Sequence, residues 1–411
     1  MNLLPLKIAA RYLVSKKSTN AINIITIITM IGMGVISFAL VTILSVFNGF
    51  EQLNIQLNNT FNPDISVSPK EGKVFTLTAD QMNKVKSLKG VDLISEVLME
   101  NAALKYGDHE FIGTLKGVDD NYTKVTAIDS AIVRGQFLLH NKGIDYAVLG
   151  AGVERNLGVN IQDQFSSVTL LIPNRGRNLN PLNPESAFTR SSVHPIGSFS
   201  IQMEYDLKYV FLPLTFMRDL LKYDKEVSAI EVKVKNGANV QQVKNELRST
   251  LGNGFDYKDR FQQNETLYKV IQTEKLVLFA ILSFVLAIAA FNIVGSLTML
   301  VLEKTKDIAI LKAMGADNVT IRRIFLFEGL LASLIGSMSG IVLAIIVCLI
   351  QIYFKVITLT GSGSFIIDAY PVQLKAMDFL VVLLIVVIIS VFAAWLPAQR
   401  AAQYSGAIKQ E

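Results

Sequence analysis

The chain has 411 residues, 51% of them hydrophobic and only 18% charged, where soluble domains carry roughly 25% charged residues. The deficit lies in four uncharged stretches, so a membrane region beside at least one folded domain is expected. The net charge of +5 does not point to nucleic acid, because the basic residues cluster beside the apolar stretches, where membrane topology accounts for them. A single cysteine, Cys348, excludes a disulfide framework, and His109, His140 and His194 show no metal-ligand spacing.

Residues 1–20 open the chain as a basic amphipathic segment. Within 5–17, Leu6, Ala9, Ala10, Leu13 and Val14 can share one face, opposite Lys7, Arg11 and Lys16. The segment is either an elbow helix in the cytoplasmic interface or a basic anchor that fixes topology. Residues 21–50 then run without Asp, Glu, Lys or Arg, longer than the roughly 20 residues that cross a hydrocarbon core. The run also exceeds the apolar region of a signal peptide and has no small-residue cleavage site, so an uncleaved transmembrane helix is expected.

Residues 51–275 are long enough for a core of their own. A strand is expected at 64–68. A helix follows at 79–88, with Thr78 and Gln81 spaced as a capping box. Segments 98–106 and 110–118 read as a hairpin about Gly107 and Asp108. Strands at 146–149, 168–172, 209–212 and 230–234 and helices at 214–221 and 238–251 complete an α+β domain, Gly252 stopping the last helix. Residues 173–197, rich in Pro, Asn and Gly and carrying Arg175, Arg177, Pro181 and Pro184, read as a long exposed loop. It is either a docking arm for a periplasmic partner or a flexible insertion.

Three further uncharged runs follow, at 276–302, 329–354 and 379–399. Lys304, Lys306, Lys312, Arg322 and Arg323 crowd the 303–328 loop, and Arg400 and Lys409 lie in the 400–411 tail. The 355–378 loop offers only Lys355 and Lys375. The bias places both termini and the 303–328 loop in the cytoplasm, and 51–275 and 355–378 across the membrane. The fold class expected is an α-helical membrane protein with four transmembrane helices and a large α+β extracytoplasmic domain between the first and second.

Nothing in the chain resembles a phosphate-binding G-x-x-x-x-G-K-[ST] loop, a G-x-S-x-G elbow or an H-E-x-x-H zinc motif, and no pair of ionisable residues lies inside a span. No nucleotide hydrolysis and no bound cofactor are expected of it. The 303–328 loop begins with a short helical pattern in which Ile308, Leu311 and Met314 recur at i, i+3 and i+6 before Gly315. Such an apolar face either meets a groove on a partner or packs on the ends of the chain's own spans. Ala332, Gly336, Gly340 and Ala344 form a small-residue stripe suited to close helix packing. Ile43, Phe47 and Phe50 near the outer end of the first span, and Leu276, Phe279 and Leu282 at the same depth on the second, either line a cleft for acyl chains or face lipid.

The sequence resembles the permease subunits of lipoprotein-releasing ABC transporters of the LolC/LolE type, within the wider group of MacB-like and FtsX-like membrane proteins. The stretches that carry the likeness are Ala10-Arg-Tyr-Leu13, Leu44-Ser-Val-Phe-Asn-Gly-Phe-Glu51, Glu274-Lys275, Ala289-Ala-Phe-Asn-Ile293, Ile324-Phe-Leu-Phe-Glu-Gly329 and Pro397-Ala-Gln-Arg-Ala-Ala402. The resemblance implies a non-catalytic subunit in the inner membrane that pairs with a second permease copy, like or unlike itself. A separate ABC ATPase would bind the ATP and Mg. By the same likeness 303–315 is the coupling segment, with Glu303, Lys306, Asp307, Ile308, Leu311, Met314 and Gly315 meeting the ATPase. An acylated lipoprotein would be the substrate and a periplasmic carrier a further partner. Rival outputs are FtsX-like control of a cell-wall hydrolase and MacB-like efflux.

Overall fold

The computed structural model describes residues 4–14, 20–163, 165–173, 188–358 and 369–403. They fall into two compact units: Met1–Leu53, Val270–Leu359 and Ala369–Glu411 in the first, Asn54–Lys269 and Thr360–Asp368 in the second.

In chain order, α1 (Leu4–Val14) and α2 (Asn20–Phe61) precede β1 (Ile65–Pro69), α3 (Ala79–Lys86), β2 (Val91–Tyr106), β3 (His109–Val118) and α4 (Tyr122–Val125). Then come β4 (Ile132–Gly135), β5 (His140–Asn141), β6 (Ile144–Gly150), α5 (Ala151–Leu157), β7 (Val168–Pro173), β8 (Phe188–Phe199), α6 (Met203–Asp206) and β9 (Tyr209–Pro213). The second unit continues with α7 (Leu214–Leu221), β10 (Ala229–Val234), α8 (Val240–Leu251), β11 (Phe255–Asp259) and α9 (Arg260–Gln263). Last are α10 (Glu265–Glu303), α11 (Thr305–Ala313), α12 (Asn318–Phe354) and α13 (Ala376–Gln403).

Four of these helices, α2, α10, α12 and α13, are long and apolar enough to cross a membrane. The first three outrun the uncharged windows: α2 continues past Phe50 to Phe61, α10 begins at Glu265, and α12 begins at Asn318. A helix does not end where hydrocarbon ends, because its backbone bonds are satisfied internally in water as well. The small-residue stripe on α12 does what its spacing suggests. A Cβ on Gly340 would overlap the Gly34 carbonyl oxygen, and one on Gly336 that of Met30, so α12 and α2 approach backbone to backbone. Thr29 Oγ1 on α2 donates to Ser296 Oγ on α10 at 2.6 Å. Met33, Leu40, Leu44, Leu282, Ile293, Leu297, Ala344, Val386 and Ala394 form the apolar core of this unit.

The first helix differs from its expected face. In α1, Pro5 and Ala9 are buried, Ile8 and Tyr12 are half-buried, and Leu6 and Ala10 point outward. The helix packs on α12 through its smaller residues, which permit close approach, while Leu4 and Leu6 stay exposed.

The second unit is a mixed eleven-stranded sheet in the order β11-β1-β10-β2-β3-β9-β6-β8-β4, with β5 on β6 and β7 bridging β2 and β8. The long β2 pairs β10 along its first half and β7 along its second, so it runs through two cores. One holds Ile65, Val67, Ile230, Val232, Val243 and Leu247 under α3 and α8. The other holds Leu98, Leu104, Leu115, Leu149, Val153 and Met217 under α5 and α7. A third cluster receives the end of α2: Phe61 packs with Tyr205, Tyr209 and Phe211. Lys116 Nζ sits 4.5 Å over the Phe61 ring, 2.7 Å from Glu231 Oε1, and donates to the Tyr122 hydroxyl at 2.9 Å. Burial pushes the Glu231 carboxyl up, against the pull of Lys116.

The capping box of Thr78 and Gln81 is formed, the hairpin turns at Gly107 and Asp108, and α8 stops at Gly252. The expected long loop at 173–197 is contradicted wherever its residues are described, Pro173 closing strand β7. Residues 188–199 are strand β8, paired with β6 in parallel and with β7 and β4 antiparallel. Pro195 is accommodated by a register shift opposite Ala147 and Val148, where the ladder skips Ile196. Arg175, Arg177, Pro181 and Pro184 lie outside the described residues.

Candidate functional site at the short helix between spans

The helix α11 hangs between the end of α10 and the start of α12, and its geometry follows from local sequence. It ends in a Schellman closure: Ala316 N–H donates to Leu311 O and Gly315 N–H to Lys312 O, both at 2.9 Å. That closure needs a left-handed residue, which Gly315 supplies at φ +90. Asp317 then caps α12 by accepting from Thr320 N–H at 2.9 Å.

The seat under α11 is apolar. Ile308 is 1% exposed among Leu300 and Val301 of α10, Ile321 and Phe325 of α12, and Ala398 and Ala401 of α13. Lys312 Nζ donates to the carbonyl of Ala402, in the last turn of α13, at 2.9 Å. Lys304 pairs with Asp307 at 3.0 Å and lies 4.8 Å over the ring of Tyr12 on α1. Burial, reinforced by the Asp307 charge, pushes the Tyr12 phenol up to about 12, so it remains a neutral hydroxyl beneath that ammonium.

The expected apolar stripe of Ile308, Leu311 and Met314 is therefore rotated from the surface that faces outward. Ile308 is a core residue, Leu311 is half-buried, and Met314 is 80% exposed. The outward stripe is Lys306, Ile310, Ala313 and Met314, at i, i+4, i+7 and i+8. Glu303 and Asp307 are half-buried, and Gly315 is exposed at the turn. Sequence reasoning passed over Glu328, which lies one residue outside an uncharged window. It is 2% exposed with Oε2 unpaired among the described residues, and Lys304 is its electrostatic neighbour. The adjacent Gly329 explains the tight setting, since a Cβ there would stand 2.5 Å from Leu297 of α10 and 3.2 Å from Ala394 of α13.

The other group of singled-out residues lies within α2 and α10, where their uncharged runs meet charged residues. Asn48 Nδ2 donates to Asp378, a Cβ on Gly49 would overlap the Pro371 carbonyl, and Phe50 meets Tyr370 edge-on at 5.1 Å. Glu51 pairs with Lys375 at 2.9 Å and Lys275 at 3.6 Å. Four consecutive residues thus form a collar on residues 370–378, which lead into the first turn of α13. Of the six residues expected to line a cleft, Leu282 is in the core and Phe279 packs against it. Ile43 and Leu276 are exposed, and Phe47 and Phe50 are half-buried.

Four apolar helices, with a mixed sheet inserted between the first and second, define a multi-pass membrane protein of the permease type. The chain belongs to the family of the MacB-like periplasmic core domain, which matches residues 26–250, and the FtsX-like permease C-terminal domain matches residues 279–405. Among its relatives is the lipoprotein-releasing system transmembrane protein LolC of Xylella fastidiosa, 25% identical over 98% of this chain and 97% of that one. LolE of Haemophilus influenzae is 27% identical over 97% of each chain. The macrolide export ATP-binding/permease protein MacB of Vibrio parahaemolyticus is 23% identical over 78% of this chain and 49% of its own length.

Proposed function

We propose that this chain is the membrane subunit of an ABC transporter that releases acylated lipoproteins from the inner membrane to a periplasmic carrier. The observation that carries the reading is likeness to LolC and LolE along nearly the whole length of each chain. In this reading α11 and both termini are cytoplasmic and the sheet domain is periplasmic. A separate ATPase docks on the outward stripe of α11 and binds the ATP and Mg, and a second permease completes the pair. This chain contributes no catalytic group.

The chemistry of release explains why such a machine needs an external energy source. Moving an acyl chain into water costs about 0.8 kcal/mol per methylene, so three chains of some fifteen carbons cost on the order of 35 kcal/mol. Spontaneous escape over that barrier is negligible, and the chains have to be shielded throughout and handed over. A cleft between apolar helices would meet that need.

The test is purification from native membranes followed by ATP-dependent release of an acylated protein from proteoliposomes. Met314→Asp, on an exposed position, is expected to lower ATPase association and stimulation at least about tenfold while leaving the fold intact. Wild-type stimulation by that variant would remove α11 as the docking element. The MacB likeness supports a second reading, ATP-driven efflux. Loss of drug resistance on deletion, with lipoprotein release unchanged, would favour it.

A further inference from the structure

Glu328 is a buried acid that neither the packing of α12 nor the outward stripe of α11 uses. It is 2% exposed, and its Oε2 has no hydrogen-bond partner among the described residues. A buried acceptor without a donor is costly, because it has given up water and gained nothing in return. Such a group calls for a donor that the observed arrangement holds elsewhere.

Lys304 is that donor. Helices α10 and α12 run antiparallel: Leu297 stands opposite Gly329, and further along α10, Leu300 and Val301 share a cluster with Phe325 and Ile321. Lys304 N–H bonds Leu300 O at 3.0 Å, so the residue still belongs to the α10 spiral. Lys304 lies seven residues past Leu297, and Glu328 one residue before Gly329. Their axial offset is therefore six residues, or about 9 Å. Side chains on a helix lean toward its N-terminus. On these antiparallel neighbours that lean carries the Lys304 stem and the Glu328 carboxyl toward each other. A third group marks the same spot, since the Tyr12 phenol feels the charges of both Asp307 and Glu328 while Lys304 Nζ lies 4.8 Å over its ring.

One ammonium thus has two acids to serve and serves one. In the observed arrangement Lys304 reaches forward to Asp307 Oδ2 at 3.0 Å. The Asp307 side chain is 42% exposed and keeps part of its hydration, whereas Glu328 has almost none to keep. Lys304 sits at the end of α10 and Asp307 in the first turn of α11, so their pair staples the junction of the two helices. Any displacement of α11 from α10 pulls on that staple. The Lys304 side chain is itself only 14% exposed, and a released ammonium is left facing the Glu328 carboxyl.

We propose that Lys304 is handed from Asp307 to Glu328 when α11 shifts on its seat, so that α11 has two positions with the ammonium paired in each. The proposal rests on the reading that an ATPase docks on α11, and it supplies the regulation of that site. Load on α11 draws Asp307 away, and Glu328 takes up the charge and ties the end of α10 to α12. An element with two matched positions answers to a small differential load, whereas one held by a single pair resists until it breaks.

The test is zero-length crosslinking of the full chain in detergent with dicyclohexylcarbodiimide, which condenses a carboxyl with an adjacent amine, the products being read by mass spectrometry. In the wild type the chief product is expected between Lys304 and Asp307, with a minor one between Lys304 and Glu328. Asp307→Asn is expected to raise the Lys304–Glu328 product about fivefold, the shift that follows from losing a partly exposed ion pair. Glu328→Gln keeps the size of the side chain and removes that product. In proteoliposomes it is expected to lower ATP-dependent release about tenfold with the ATPase still bound. A folded Asp307→Asn chain that gives no Lys304–Glu328 product would overturn the proposal, and so would wild-type release by Glu328→Gln. The crosslinking needs no ATPase, so the exchange and the docking reading fail separately: Met314→Asp tests the docking, and the two acid variants test the exchange.

Discussion

Helices α10 and α12 are near twins by sequence measures and opposites in the structure. They span 39 and 37 residues and are about equally apolar, yet much less of α10 than of α12 is buried. The difference lies in residue size. α12 presents Ala332, Ser333, Gly336, Ser337, Gly340 and Ala344 inward, and backbones can close on that stripe. On α10, Phe284, Ile288 and Phe291 stand exposed, while contact is made by Asn292, Ser296 and Leu297 on one side and by Leu300 and Val301 at the end. Hydropathy marks what crosses a membrane, and small residues mark which helix sits in the middle of a bundle.

The sharpest way to break this contrast is Gly340→Ala. A methyl there has no space before the Gly34 carbonyl, so α2 and α12 must part, at a cost of about 3 kcal/mol. Thermal unfolding in detergent should show a large drop, and an unchanged midpoint would mean that the backbone contact is not made. Ile308→Asp comes next. It places a carboxylate among Leu300, Ile321 and Phe325, and is expected to detach the end of α10 with a loss of about 2–3 kcal/mol. Protease accessibility around 303–317 should rise in that variant but not in Met314→Asp. Phe291→Ala should cost the isolated chain under about 0.5 kcal/mol, because its ring is 77% exposed. Loss of pairing with a second permease in that variant would instead make the exposed face of α10 an interface. The smallest effect is expected of Gly295→Ala. Nothing stands within 4 Å of the new methyl, and removing a glycine from a helix interior is worth up to about 1 kcal/mol in the stabilising direction. Destabilisation would show that α10 is packed more closely than the structure has it.

Much of this was legible from local rules. Long uncharged runs locate the four apolar helices because no soluble element tolerates such length. The capping box at Thr78, the turn at Gly107 and the stop at Gly252 depend on neighbours a few residues away, and all three are formed. What failed depended on distant partners. Pro195 looked like a loop marker, yet a bulge against Ala147 and Val148 carries it inside β8. On α11 the period of Ile308, Leu311 and Met314 left two readings open, a partner groove or the ends of the chain's own spans, and Ile308 takes the second. Whether a period faces outward is decided by Phe325 and Ala398, far along the chain. Glu328 escaped notice for the same reason, since a single acid beside an apolar run looks like a boundary until the neighbouring helices close over it.

The collar at Asn48, Gly49, Phe50 and Glu51 has a mechanical consequence. An amide, a bare backbone, a ring and a carboxylate each grip a different point of residues 370–378, so no single bond carries the load. Consecutive helical residues diverge by about 100°. A twist of α2 that relaxed one grip would strain another, and slow creep is disfavoured. The four grips tie residues 370–378 to the helix as one piece, as splines key a hub to its shaft.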